Sequence, residues 1–161
     1  MDSEVKLYIN RAEDEFLLAE NDMKSSTDLK IKEVLGIQEN KTFFYSVISH
    51  AYYCIFYTVK AYLLSKGIKT EAPEEHKKTY EEFKKIVDSG ELDKQLLDIY
   101  EKETEKAEVL LKILFKEKRK RGIFTYNLKS EANLPYAQES IENSRKFVSI
   151  IKSTLEKNEQ S

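Results

Sequence analysis

Cysteine is almost absent. Cys54 stands alone in 161 residues, so no disulfide framework can staple the chain, and an intracellular, cytoplasmic home is expected. Glycine and proline are nearly as scarce: Gly36, Gly67, Gly90 and Gly122, then Pro73 and Pro135. Glycines this isolated cannot build a phosphate-cradling P-loop or a dinucleotide-binding turn, and no Gly-x-Ser-x-Gly elbow occurs. Histidine is limited to His50 and His76, which with Cys54 give none of the usual zinc spacings, so no metal and no cofactor is expected. An excess of one charge is lacking too. With 27 basic and 29 acidic residues the formal charge is −2, which excludes a chain that binds polyanions over its whole surface. Long apolar runs are also missing. Ser46, Ser49, His50 and Lys60 interrupt the most apolar stretch, so no membrane span is expected, and the charged opening Met1–Asp14 does not resemble a signal peptide.

What remains is helical periodicity. Each glycine and proline falls between periodic segments, where a bundle needs its stops and starts. Val5, Ile9, Ala12, Phe16, Ala19 and Met23 recur at steps of four and three, and so do Ala137, Ile141, Ser144, Val148, Ile151 and Leu155. A third stripe runs Leu96, Tyr100, Glu103, Ala107, Leu110, Leu114, with one polar member. A shorter one, His76–Tyr80–Phe83–Val87, is entered through Pro73 with Glu74 and Glu75 in its first turn. The spacing predicts an all-α, up-and-down bundle of about five helices forming a single domain over 1–161. Its core lies at about 5–152, with a polar expansion at 24–41 holding a short helix near Leu29–Leu35 and a fraying tail at 156–161.

The segment from about Thr42 to Lys66 differs from the rest. It holds Phe43, Phe44, Tyr45, Tyr52, Tyr53, Phe56, Tyr57 and Tyr62, and its apolar positions go nearly all the way round, as in a helix surrounded by others. One stripe, His50–Tyr53–Tyr57–Lys60, is amphipathic. Its polar tips either satisfy one another at the bundle edge or line a cleft or interface. His76, aligned with Tyr80 and Phe83, reads as a satisfied histidine at or near the core. The carboxylate groups Glu13-Asp14-Glu15 and Glu101/Glu103/Glu105 read as solvated faces.

One charge signal is concentrated: Lys116-Glu117-Lys118-Arg119-Lys120-Arg121, just before Gly122. Cations in a last helical turn followed by glycine are what the macrodipole and a C-cap favour. The loop Ile123-Phe124-Thr125-Tyr126-Asn127 follows at once, however, and arginine beside aromatics can grip a phosphate while a base stacks.

The run Ser46-Val47-Ile48-Ser49-His50-Ala51-Tyr52-Tyr53-Cys54-Ile55-Phe56, then Lys60-Ala61-Tyr62-Leu63-Leu64 and Lys66-Gly67-Ile68, resembles the second helix of HEPN domains, the nucleotide-binding domains of higher eukaryotes and prokaryotes. The opening Arg11-Ala12-Glu13-Asp14 and the late Arg121–Tyr126 segment match in the same order. The resemblance implies a homodimeric bundle of four or five helices that binds nucleotide or RNA, commonly beside a minimal nucleotidyltransferase in a toxin–antitoxin-like pair; some members are RNA-cleaving toxins. Active members carry arginine, four to six residues, then histidine. No arginine here has a histidine at that spacing, and Tyr126 fills the slot after Arg121. A tyrosine with a pKa near 10 is a poor base at neutral pH, which points to binding rather than catalysis. Under this resemblance Arg119 and Arg121 contact phosphate, Tyr126 and Asn127 position the ligand, and His50 and Tyr53 line the same cleft. Arg121 and Tyr126 are the weak candidates for any catalysis. The alternatives are a divergent metal-independent endoribonuclease and a structural adaptor without a ligand.

Overall fold

The fold is organised around one aromatic helix. The computed structural model describes residues 1–115 and 133–161. They form α1 (Ser3–Thr27), α2 (Leu29–Leu35), α3 (Phe44–Ser65), α4 (Glu75–Asp88), α5 (Lys94–Phe115) and α6 (Asn133–Gln160), with no strand among the described residues. The short helix expected near Leu29–Leu35 is α2. Among these helices only α3 packs against α1, α4, α5 and α6 alike, which is why it is apolar almost all the way round. Val47, Ala51, Cys54, Ile55, Val59, Ala61 and Leu63 on it are completely buried.

Cross-links set the directions. Arg11 meets Tyr57 and Asp22 meets Ser46, so α1 runs antiparallel to α3. Glu13 meets Lys152 and Glu20 meets Arg145, so α6 is antiparallel to α1 and parallel to α3. The main core joins Ile55, Phe56, Val59 and Tyr62 with Phe83, Leu96, Tyr100, Phe147 and Ile151. A smaller core at the other end joins Ala19, Phe44, Val47 and Ile48 with Ala137 and Ile141. The stripes read from sequence form the inward faces of α1, α5 and α6, with Glu103 buried among them; Leu114, expected in the α5 stripe, lies outside the residues whose side chains are described.

The ends have local causes. Asp28 closes α1 and caps α2 through Lys30 N–H at 2.9 Å and Ile31 N–H at 3.1 Å. Gly36 ends α2 at φ 72°, where Ile37 N–H donates to Lys32 O at 2.8 Å; only glycine adopts that turn without strain. The excursion at 24–41 is pinned by polar contacts more than by apolar packing. Ser26 Oγ accepts from Phe43 N–H at 2.7 Å, and buried Lys32 reaches Lys41 O. The tail after Leu155, expected to fray, stays helical to Gln160, with every residue from 156 onward exposed.

One packing absence positions the site. α1 and α4 do not pack against each other, so a strip of α3 between them is left uncovered among the described residues.

Candidate functional site: the uncovered strip of α3

The floor of the strip is the amphipathic stripe itself. Positions 50, 53, 57 and 60 share one helical face, and His50, Tyr53 and Tyr57 are half-buried while Lys60 is nearly enclosed. The Tyr53 and Tyr57 rings lie 6.1 Å apart. α1 supplies one wall with Tyr8, Arg11 and Glu15, and the start of α4 supplies the other with Glu75 and His76.

Arg11 is the most available group. Its guanidinium carbon sits 4.2 Å from the centre of the Tyr57 ring, and Nη2 donates to the Tyr57 hydroxyl at 2.6 Å. Tyr8 stacks on the other side, its ring 6.2 Å from that of Tyr57. Arg11 is exposed and has no carboxylate partner among the described residues. It is therefore a planar cation held in place, with donors left over for an anion.

His50 is differently placed. Its Nδ1 lies 2.5 Å from Glu15 Oε2 and its Nε2 lies 3.7 Å from Asp22 Oδ2, the oxygen that also accepts from Ser46 Oγ at 2.6 Å. Both ring nitrogens face α1 carboxylates. His50 is a brace between α1 and α3, and an incoming anion would meet Glu15 and Asp22 there.

At the far end Lys60 is paired with Glu75, and its Nζ lies 5.1 Å from the centre of the Tyr8 ring. Burial works against the ammonium, yet Glu75 and Tyr8 outweigh it and hold the lysine pKa above its ordinary value. His76 stacks on Phe56 with ring centres 4.1 Å apart, and its Nδ1 is hydrogen-bonded to the Tyr52 hydroxyl at 2.7 Å. Burial of that ring face lowers the His76 pKa, with Glu75 opposing and Lys60 reinforcing the fall, so the imidazole is neutral at pH 7. Tyr53 lies edge-on to it at 5.8 Å. Burial raises the Tyr53 hydroxyl pKa, and Tyr57, Glu15 and Glu75 add to the rise.

Of the residues expected from sequence, Tyr53 lies in the strip and His50 at its end. Arg119, Arg121, Tyr126 and Asn127 lie outside the described residues. His76 is satisfied, by Tyr52, but it belongs to the surface, not the core. Two solvated-face readings need correction. Glu103 is fully buried, held between α5 and α6 by Asn143 and Lys106, and Glu15 is half-buried against His50. Arg11 was named from sequence only within the opening Arg11-Ala12-Glu13-Asp14 of the resemblance and was given no binding role there.

No family model, curated protein or solved structure matches this chain. Among the described residues no group of three His, Cys, Asp or Glu side chains could hold a metal ion, and no helix is long and apolar enough to cross a membrane. A concavity of about 460 Å³ lies between α1 and α6, floored by Phe16 and Val148. Its cations face α1 carboxylates, Lys152 with Glu13 and Arg145 with Glu20, so it is an ion-paired seam.

Proposed function

We propose that this chain is a HEPN-like module that binds nucleotide or RNA, works as a cytoplasmic homodimer, and is the partner of a minimal nucleotidyltransferase in a toxin–antitoxin-like pair. The observation that supports the binding part is Arg11, a preorganised guanidinium without a carboxylate partner among the described residues, lying on the Tyr57 ring beside the half-exposed Tyr53. A guanidinium grips phosphate while tyrosine faces take bases of any sequence. The partner and the dimer rest on the sequence resemblance, as does the assignment of Arg119 and Arg121 to phosphate and of Tyr126 and Asn127 to the ligand.

The test is fluorescence anisotropy with a short single-stranded RNA. Arg11→Ala should weaken binding about tenfold, the scale of one charge-assisted contact at roughly 1–3 kcal/mol. Affinity should also fall steeply as salt rises. Binding indifferent to both would leave the structural adaptor as the better reading.

One observation favours the divergent metal-independent endoribonuclease as a second reading. His76 is an imidazole kept neutral, and only the neutral form can take a proton from a hydroxyl. Cleavage of RNA in the presence of a chelator, abolished in His76→Gln, would establish it.

A further inference from the structure

The hydrogen bond joining α3 to the start of α4 fixes where one proton sits. The Tyr52 hydroxyl lies 2.7 Å from Nδ1 of His76, and Tyr52 itself is buried. Burial raises the Tyr52 pKa and lowers that of His76, so both partners are neutral at pH 7. Between two neutral groups of this kind the phenol is the better donor and the bare imidazole nitrogen the better acceptor. Donation to Nδ1 also satisfies an O–H that is out of reach of solvent. Nδ1 is therefore the acceptor, and the proton of the imidazole is on Nε2. That nitrogen is turned away from Tyr52, on a residue that is exposed although one face of its ring stacks on Phe56 at 4.1 Å. The turn that delivers it is strained. Glu74, just before Glu75 and His76, holds φ 55° and ψ 41°, in the left-handed region that favours glycine. Strain of this kind collects at ligand sites.

Resting on the nucleotide-binding reading, we propose that His76 is a ligand contact of the strip that offers Nε2–H as an uncharged donor to an oxygen of the bound nucleotide, and that Tyr52 is the positioning residue that fixes this tautomer. The placement agrees with the rest of the strip. Tyr53 lies edge-on to the imidazole at 5.8 Å, and its ring is 6.1 Å from that of Tyr57, on which Arg11 lies. A nucleotide unit resting against Tyr53 thus has a charged donor on its Tyr57 side and an uncharged one on its His76 side. The tautomer also weighs against the cleavage reading. With its proton on Nε2, the exposed nitrogen has no lone pair to take a proton from a hydroxyl. The same imidazole binds rather than cleaves.

Long-range proton–nitrogen NMR of the isotope-labelled full chain, at neutral pH, reads the tautomer directly. The signals that vanish in His76→Phe are those of His76. Nε2 should resonate as a protonated nitrogen and Nδ1 as a bare one, and Tyr52→Phe should give a mixture of both tautomers. Fluorescence anisotropy with a short single-stranded RNA then tests the contact. His76→Phe keeps the stack on Phe56 but removes the donor, and should weaken binding about threefold to tenfold, the scale of one neutral hydrogen bond. His76→Gln, whose amide nitrogen can donate from near the place of Nε2, should lose less than His76→Phe. A proton on Nδ1, or RNA affinity unmoved by His76→Phe, would overturn the proposal and leave the nucleotide-binding reading standing. A pure Nε2–H signal in Tyr52→Phe would overturn the role given to Tyr52. RNA that fails to bind the wild type would overturn the nucleotide-binding reading, and the ligand role of His76 with it.

Discussion

Asn143 on α6 donates through Nδ2 to Glu103 on α5 at 3.0 Å, and Lys106 Nζ lies 3.0 Å from the same carboxylate oxygen. Glu103 is fully buried, and its other oxygen has no hydrogen-bond partner among the described residues. The pair is one of several links between α5 and α6, beside Lys102 with Glu139 at 2.9 Å and Lys146 with Gln95 at 2.9 Å. Replacing Glu103 by Ala orphans the Asn143 amide, while Lys106 keeps Glu139 at 2.7 Å. We expect a loss of about 1–3 kcal/mol in urea unfolding, with Glu103→Gln losing less because it can still accept from Asn143. An unchanged midpoint for Glu103→Ala would mean the seam contributes nothing.

The His50 brace makes a different prediction. Since both its nitrogens face α1 carboxylates, His50→Ala should destabilise the fold by about 1–2 kcal/mol. It should change RNA affinity far less than Arg11→Ala does. If His50→Ala instead abolished binding in a protein of normal stability, the histidine would be a ligand contact and our placement of the phosphate would be wrong.

Acid sensitivity should come in two steps. His76 has a folded pKa below its ordinary 6.5, so between the two values the unfolded chain holds a proton that the native one does not. Its contribution is present above pH 6.5 and is lost as pH falls through the folded value. Glu91 and Glu139 have pKa values lowered from 4.5, Glu91 chiefly by the Tyr62 hydroxyl and Glu139 by Lys106 and Lys102 in spite of burial. Their contributions go at still lower pH. Proton NMR should give a His76 midpoint below 6.5, and one above it would reverse the sign of the first step.

Cys54 is a probe of opening. It is completely buried among Ala12 and Val148, and burial raises its thiol pKa, so the thiolate that alkylating reagents need is suppressed. Iodoacetamide should leave the native chain untouched at pH 8 and modify it at the rate of unfolding in urea. Fast labelling without denaturant would show that α3 is accessible from the α1–α6 side.

Much of the fold was legible because helices advertise themselves locally. The stripes of α1, α5 and α6 repeat every three or four residues, and Gly36, Gly67, Pro73 and Gly90 fall at breaks, whereas Pro135 lies in the first turn of α6 and Asp28 alone separates α1 from α2. Even α2 was read, as a short helix near Leu29–Leu35. The site was only half legible. Tyr53 and His50 stood out as polar tips on an apolar helix, but the partners that decide their roles are far away in the chain. Glu15 is 35 positions from His50, and Arg11 is 46 from Tyr57. Glu103 shows the same gap: its place in a buried stripe was visible, while Asn143, 40 positions on, was not. Periodicity reports which face of a helix is covered, and says nothing of which helix covers it.

The central position of α3 also sets an order of opening. Amides in a helix walled by four others exchange with solvent only when the whole bundle comes apart, whereas a helix with one neighbour can detach on its own. α2 is such a helix: among the described helices it packs on α1 alone, and it leaves Leu29, Val34 and Leu35 more than half exposed. Hydrogen exchange should therefore divide this chain by neighbour number, with α2 exchanging first and the middle of α3 last.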